Sequence, residues 1–324
     1  ANDASTRAYK NLANAVLRRV ASGPARAAFE ACDPLADLPD WLHARWTASY
    51  GAATAQAMAA ARAGPPPLDL TVKPGVDAAA LAEALGGVVL PTGTVRRAQI
   101  GAVEGLAGFE AGEWWVQDAA AALPAQLLAA RPGEVIVDLC AAPGGKTLQL
   151  AAAGAEVLAV DASAARLKRV AANLERTKLG AELIAADAVA WRPDRLLDAV
   201  LLDAPCTATG TLRRRPDAAF AKQDGDAARL AAIQDALLDA AIDSVKPGGR
   251  IVYCTCSLEP EEGEARIAAV TARRGDVRLD PVRAAELPDL SEAILSDGAV
   301  RTRPDMWPDR GGLDGFYIAR LIKA

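Results

Sequence analysis

Histidine is almost missing from this chain, with one residue, His43, among 324. That scarcity excludes most chemistry built on imidazole. A triad with a histidine base would have to use His43, which lies in the amphipathic stretch WLHARW, far from any nucleophile-like motif. We read it as an ordinary helix residue. A mixed Cys/His zinc site is poorly supplied, and no metal is expected. Cysteine is also sparse: the five residues are Cys32, Cys140, Cys206, Cys254 and Cys256. An odd count behind an N-terminus without an apolar h-region predicts reduced thiols in a cytoplasmic protein. The chain opens without Met, as an excised piece of a longer protein would. No run of about 18 apolar residues is free of charges or breakers, so no membrane span is expected. Positive charge is not in excess either. The net charge is −5, so there is no overall basic stripe, and a nucleic-acid partner would have to find its positive charge locally.

What is present suffices for two domains and a fragment. Hydrophobic residues make up 52% of the chain, much of it alanine, which packs but buries little area per residue. Residues 5–31 carry Leu12, Val16, Leu17 and Val20 at helical spacing. CDPLADLP reads as a linker, and Asp40 as the cap of a helix bearing Trp41, Leu42, Trp46 and Tyr50. Between Leu68 and about Val116 short strands and one helix alternate, as in a small α+β unit that also carries Lys73, Arg96 and Arg97. From about Gln117 strands alternate with helices: VIVDLC, EVLAVD, LIAAD, DAVLLDAP and GRIVYCTC. That order predicts an α/β, doubly wound, mostly parallel sheet, with GFYIARLIK closing as a late strand at the sheet edge.

The first of these strands runs into VDLCAAPGGKT. A glycine-rich turn between strand and helix suits a phosphate or a nucleotide. Position 140, where a Walker A loop needs its first glycine, is Cys, and the dinucleotide pattern G-x-G-x-x-G is absent. An acid ends the next strand, Asp161, placed to accept from ribose hydroxyls. Without phosphates to cradle, the fitting ligand is an adenosine bearing a small charged group, and S-adenosyl-L-methionine matches. Asp187 and Asp203 end the following strands, so the open-sheet rule places Asp161, Asp187 and Asp203 around one crevice.

Cys206 follows the strand ending in Asp203, and Cys254 and Cys256 end the next one. Neighbouring strands lie about 4.8 Å apart, so Cys206 and Cys256 are expected to overhang the same crevice. Two thiols beside a methyl donor suggest covalent catalysis on cytosine. Its carbon 5 is a poor nucleophile until a thiolate adds to carbon 6. Asp203, carrying a proton, would assist at N3, and Lys146 would lend positive charge.

DLCAAPGGKT, LLDAPCTATG and VYCTCSLEPEE, in that order, resemble the RNA 5-methylcytosine methyltransferases of the Sun/RsmB and NOL1/NOP type. The likeness covers roughly residues 110–324, including DGFYIARLIK. It implies a Rossmann-like catalytic domain over 117–324 that uses S-adenosyl-L-methionine and releases S-adenosyl-L-homocysteine. It implies Cys256 as nucleophile and Cys206 as the residue promoting product release. It also implies cofactor contacts from Cys140, Ala141, Ala142, Pro143, Gly144, Gly145, Lys146, Asp161, Asp187 and Asp203. Residues 33–116 are similar to the family's small RNA-recognition-like subdomain. Within 1–32, NLANAVLRRV resembles the last helix of the NusB-like domain found at the front of the Sun/RsmB branch, which modifies a cytosine in small-subunit ribosomal RNA. Loss of most of that domain would account for the acidic balance. The expected partner is therefore RNA, ribosomal above all, bound by a monomer. Transfer RNA, large-subunit ribosomal RNA, or a silent RNA-binding assembly factor are the alternatives. Cys254 reads as packing. One departure stands out: the family's PEEN is PEEG here, so Gly263 replaces an Asn that could pin the loop after Cys256.

Positive charge near the thiols comes from Arg213, Arg214 and Arg215, with Lys222 beyond. We expect these arginines to hold phosphates flanking the target base.

Overall fold

In a computed structural model, residues 7–98 and 101–324 are described. The start of the stretch 5–31 and the first residues of the expected 1–32 unit therefore lie outside the described residues. Helices α1 (Lys10–Val20) and α2 (Gly23–Glu30) follow, broken at Ala21 and Ser22, with Pro24 in the first turn of α2. The apolar face of α1, at Leu12, Val16, Leu17 and Val20, is exposed. Helices α3 (Asp40–Tyr50) and α4 (Ala52–Ala60) come next, and His43 is an exposed residue of α3.

A four-stranded antiparallel sheet is built from β1 (Leu68–Val72), β2 (Val88–Val89), β3 (Val95–Arg97) and β4 (Trp114–Val116), in the order β2-β3-β1-β4. Helix α5 (Ala78–Leu85) packs Leu81 and Leu85 onto Leu70, Val95 and Trp114 of this sheet. Asp77 caps that helix through the N–H groups of Ala79 and Ala80. Residues 33–116 do not share one core. Leu42 and Trp46 of α3 and Met58 of α4 pack instead on Leu212, Ala219 and Leu258, next to the two cysteine loops. The reason lies in composition: α4 is nearly all alanine and offers little area, so its bulky residues seek a partner outside the pair.

The remaining chain runs through α6 (Ala119–Leu128), β5 (Val135–Leu139), α7 (Gly145–Ala152), β6 (Glu156–Asp161), α8 (Ala164–Thr177), β7 (Glu182–Ala185), β8 (Leu197–Asp203), α9 (Asp226–Ser244), β9 (Val245–Thr255), α10 (Glu264–Arg273), β10 (Val277–Leu279), β11 (Val300–Thr302) and β12 (Phe316–Lys323). The sheet order is β10-β12-β9-β8-β5-β6-β7, with β11 also on β12. Strands β5 to β9 are parallel, and β12 runs antiparallel to β9. This is the doubly wound α/β sheet expected, with apolar clusters on both faces. The closing strand is not at the edge, however. β12 lies inside the sheet, because β10 and β11 both pair with its far side.

Strand order reverses at β5, where β6 lies on one side and β8 on the other. The crevice above their carboxyl ends is the position at which open α/β sheets bind ligands. Among the described residues, no helix is long and apolar enough to cross a membrane.

Candidate active site

The turn leaving β5 is shaped by backbone needs. Cys140 has a positive φ of 64° and Gly144 one of 108°, and Gly145 opens α7. At Gly144 a β-carbon would also lie 3.0 Å from Val170, so both strain and space demand glycine. At Gly145 a β-carbon would approach the Gln117 side-chain amide at 3.1 Å. The turn is braced from β6: Ala141 N–H donates to Val160 O (3.0 Å) and Ala142 N–H to Asp161 Oδ2 (3.1 Å). Asp161 also accepts from Ser163 N–H at 2.9 Å and lies 3.4 Å from Arg166. Burial pushes the Cys140 thiol up to about 12, so this cysteine contributes shape rather than a thiolate.

A cavity of about 290 Å³ opens beside the turn. Ala141, Pro143, Gly145, Lys146, Asp203 and Cys256 line it, as the sequence expected, and so do Asp138 and Phe316, which it did not nominate. Lys146 Nζ donates to Asp203 Oδ2 at 2.7 Å and stands 5.2 Å above the Phe316 ring. Burial opposes the Lys146 charge, but the Asp203 carboxylate outweighs it and holds the ammonium above its ordinary range. Neither Asp161 nor Asp187 lines this cavity, but Ala186 N–H donates to Asp161 O (3.2 Å), so the ends of β6 and β7 lie together. Asp187 is exposed beyond β7 and caps a turn through Val189 N–H (2.9 Å).

The pairing of β8 with β9 sets Asp203 opposite Cys254, so the residues after each strand end come together. Cys206 Sγ and Cys256 Sγ are 3.4 Å apart. The neighbouring Cys256, and then burial, push the Cys206 thiol well above the ordinary range. The two sulfurs lie within hydrogen-bond distance, and either can be the donor. Cys254 is fully buried in the core, as expected of a packing residue, although its thiol also sits 3.6 Å from Asp203 Oδ1.

Asp138 is the residue that sequence reasoning passed over. It sits in VIVDL, an otherwise apolar strand buried on both faces, and that misfit is the signal available in the sequence. Thr147 Oγ1 donates to its Oδ2 at 2.6 Å, while Oδ1 has no partner. Burial pushes its carboxyl up to about 7, against opposing effects of Thr147 and Lys146. A raised carboxyl contributes stability that is complete below its unfolded value and lost as pH rises through about 7. Asp138→Asn should therefore raise stability by about 2 kcal/mol at pH 8 and leave it nearly unchanged at pH 4. Urea midpoints at the two pH values check this. Equal displacement at both would refute the assignment.

The arginines behave differently from expectation. Arg213 is buried, with Nη2 2.6 Å from Asp118 Oδ2 and Nε 2.6 Å from Asp314 Oδ1. Arg214 pairs with the same two carboxylates, at 2.5 and 3.0 Å. Burial works against the Asp118 charge, but Arg214 and Arg213 outweigh it and hold its carboxyl below the usual range. This cluster locks the loop after Cys206 onto the start of α6 and the turn before β12. Of the three arginines only Arg215 is exposed and free to meet a phosphate.

Gly263 is explained by crowding. A β-carbon there would lie 2.6 Å from the Arg301 guanidinium and 2.7 Å from the Tyr317 ring. Arg301 pins the loop instead, donating to Ser257 O and pairing with Glu264, each at 2.5 Å. From the opposite side Arg45 of α3 holds Glu259 and Glu261, each at 2.5 Å.

A family model described as 16S rRNA methyltransferase RsmB/F matches residues 125–322. A ribosomal RNA small subunit methyltransferase B from Pseudomonas putida is 39% identical over 97% of this chain and 73% of its own length. Another protein of that name, from Erwinia tasmaniensis, is 44% identical over 68% of this chain. The match covers about half the length of several of these relatives. Among solved structures, a methyltransferase homologue from Pyrococcus horikoshii superposes with a TM-score of 0.73 at 27% identity, covering 88% of this chain and 95% of the other.

Proposed function

Because the chain belongs to the 16S rRNA methyltransferase RsmB/F family, we propose that it methylates carbon 5 of a cytosine in RNA, with small-subunit ribosomal RNA as substrate and S-adenosyl-L-methionine as methyl donor. The observation that carries this reading is the 3.4 Å approach of Cys206 to Cys256, which lines a cavity with Lys146 and Asp203.

The residues present fit the donor. Asp138, whose Oδ1 has no partner among the described residues, lines a cavity bounded by the glycine turn and offers an acceptor to a cationic or N–H group. Cys140 to Lys146 would hold the donor along the backbone. Asp161 would add a ribose hydroxyl to the two N–H groups it already accepts, since each carboxylate oxygen retains a second lone pair. When bound, S-adenosyl-L-methionine supplies a methyl group on a sulfonium, an electrophile for an activated carbon.

Cys256 adds to carbon 6 of the cytosine, forming the S–C6 bond and pushing the C5–C6 electron pair towards carbon 5. The Lys146–Asp203 pair carries the proton that neutralises N3 as the thiolate adds: the ammonium bears it and the carboxylate orients it. In release, the proton on carbon 5 leaves to water, its electron pair restores the C5–C6 double bond, and N3 returns its proton to Lys146. The S–C6 bond breaks, and the Cys256 sulfur takes the proton held by Cys206, which is then replaced from solvent. Arg215, exposed in the loop after Cys206, would meet a flanking phosphate.

The test is methyl transfer from labelled S-adenosyl-L-methionine to unmethylated small-subunit ribosomal RNA, large-subunit ribosomal RNA and transfer RNA, with the product mapped by sequencing. Label at carbon 5 of one cytosine in the small-subunit RNA is expected. Label only in one of the other RNAs would move the substrate, and binding without label in any would favour an assembly factor.

A further inference from the structure

The mechanism needs two thiols held at 3.4 Å, yet they stand on separate segments, one after β8 and one after β9. Loop segments do not hold such a separation unless something fixes them. Each cysteine is followed by a hydroxyl residue, Thr207 and Ser257, and the two hydroxyl oxygens are 3.0 Å apart. Behind them lies Glu262, fully buried. Its two carboxylate oxygens accept the Thr207 N–H at 3.0 and 3.1 Å, and one of them also takes the Thr207 hydroxyl proton. Gln234 Nε2 donates to Glu262 Oε1 at 3.0 Å and to Pro205 O at 2.9 Å. Cys206 is therefore gripped on both flanks, through Pro205 and through Thr207. Glu262 is itself tied to the strand that leads to Cys256, because its carbonyl accepts from Tyr253 Oη at 2.7 Å and from Thr255 Oγ1 at 3.2 Å.

A buried carboxylate normally has a cation beside it. Among the described residues no ion pair is recorded for Glu262; hydrogen bonds alone compensate it. A neutral side chain would avoid that desolvation cost, so the charge calls for a role other than packing. Cys256 has anchors of its own: its carbonyl accepts from Gly210 N–H (3.0 Å), and Arg301 holds the next carbonyl. We propose that Glu262 is a positioning residue for the release step, fixing the Cys206 thiol against Cys256 and taking no part in the attack on the base. Its charge also contributes to keeping Cys206 protonated, after Cys256 and burial.

This inference rests on the methyl-transfer reading, and one experiment separates their failures. The full chain and its Cys206→Ala, Glu262→Gln and Thr207→Val variants are incubated with S-adenosyl-L-methionine and unmethylated small-subunit ribosomal RNA. First-turnover label, steady-state turnover and covalent protein–RNA species on a denaturing gel are recorded. In Glu262→Gln an amide N–H replaces one acceptor opposite the Thr207 N–H, so the grip fails. Steady-state turnover should fall roughly 10- to 100-fold. First-turnover label should stay within about twofold, and the covalent species should accumulate as in Cys206→Ala. A first turnover reduced as much as the steady state would overturn the proposal, as would a variant indistinguishable from the parent. If Glu262→Gln loses its cooperative melt, Thr207→Val decides, with the same pattern expected at smaller amplitude; no accumulation there overturns it. A parent chain that transfers no label and a Cys206→Ala variant that traps nothing would bring down the methyl-transfer reading, and this inference with it.

Discussion

Cys256→Ala should lower methyl transfer by on the order of 10⁴-fold or more and form no covalent species with RNA, because Cys256 is the thiol that lines the cavity and supplies the bond to carbon 6. Cys206→Ala should do the opposite on a gel: product release stalls and protein migrates with RNA. The geometry sets this asymmetry. The two sulfurs are 3.4 Å apart, but Cys256 lines the cavity with Lys146 and Asp203, whereas Cys206 is not among the residues lining it. Incubation of each variant with S-adenosyl-L-methionine and ribosomal RNA, followed by denaturing electrophoresis, reads both. An adduct in Cys256→Ala and none in Cys206→Ala would exchange the two roles.

Arg213→Met should cost about 3 kcal/mol or more of stability, by the removal of one partner from a buried ion pair. Asp118 and Asp314 would be left with Arg214 alone, and the loop after Cys206 would lose its tie to Gly311 O (2.8 Å). Urea unfolding measures the loss, and the salt dependence of RNA affinity should keep its slope. An intact midpoint with a slope reduced by about one would restore Arg213 as a phosphate ligand.

The two outcomes for the arginines show what a sequence pattern conceals. Three consecutive arginines near a reactive cysteine look alike in one dimension. Their partners, Asp118 and Asp314, are about a hundred residues away in opposite directions along the chain, so nothing local announces that Arg213 and Arg214 are already neutralised. Asp187 is exposed just past β7, next to Ala186, whose N–H donates to Asp161 O (3.2 Å). Glu262 was visible only as one more acid in EPEE.

By itself the sequence determined the alternation of strands and helices, the glycine turn after β5 and the convergence of Cys206 with Cys256. Each follows from short-range rules: periodicity, turn geometry, and the fact that parallel strands end on one side of a sheet. The tertiary structure alone decided which charges remain free, that α3 and α4 buttress the cysteine loops, that β12 runs inside the sheet, and that Asp138 and Glu262 are buried without a salt-bridge partner among the described residues. Those features depend on burial and on contacts between residues far apart in the chain. Desolvation and charge pairing are properties of a place in the folded molecule, and no window of sequence contains them.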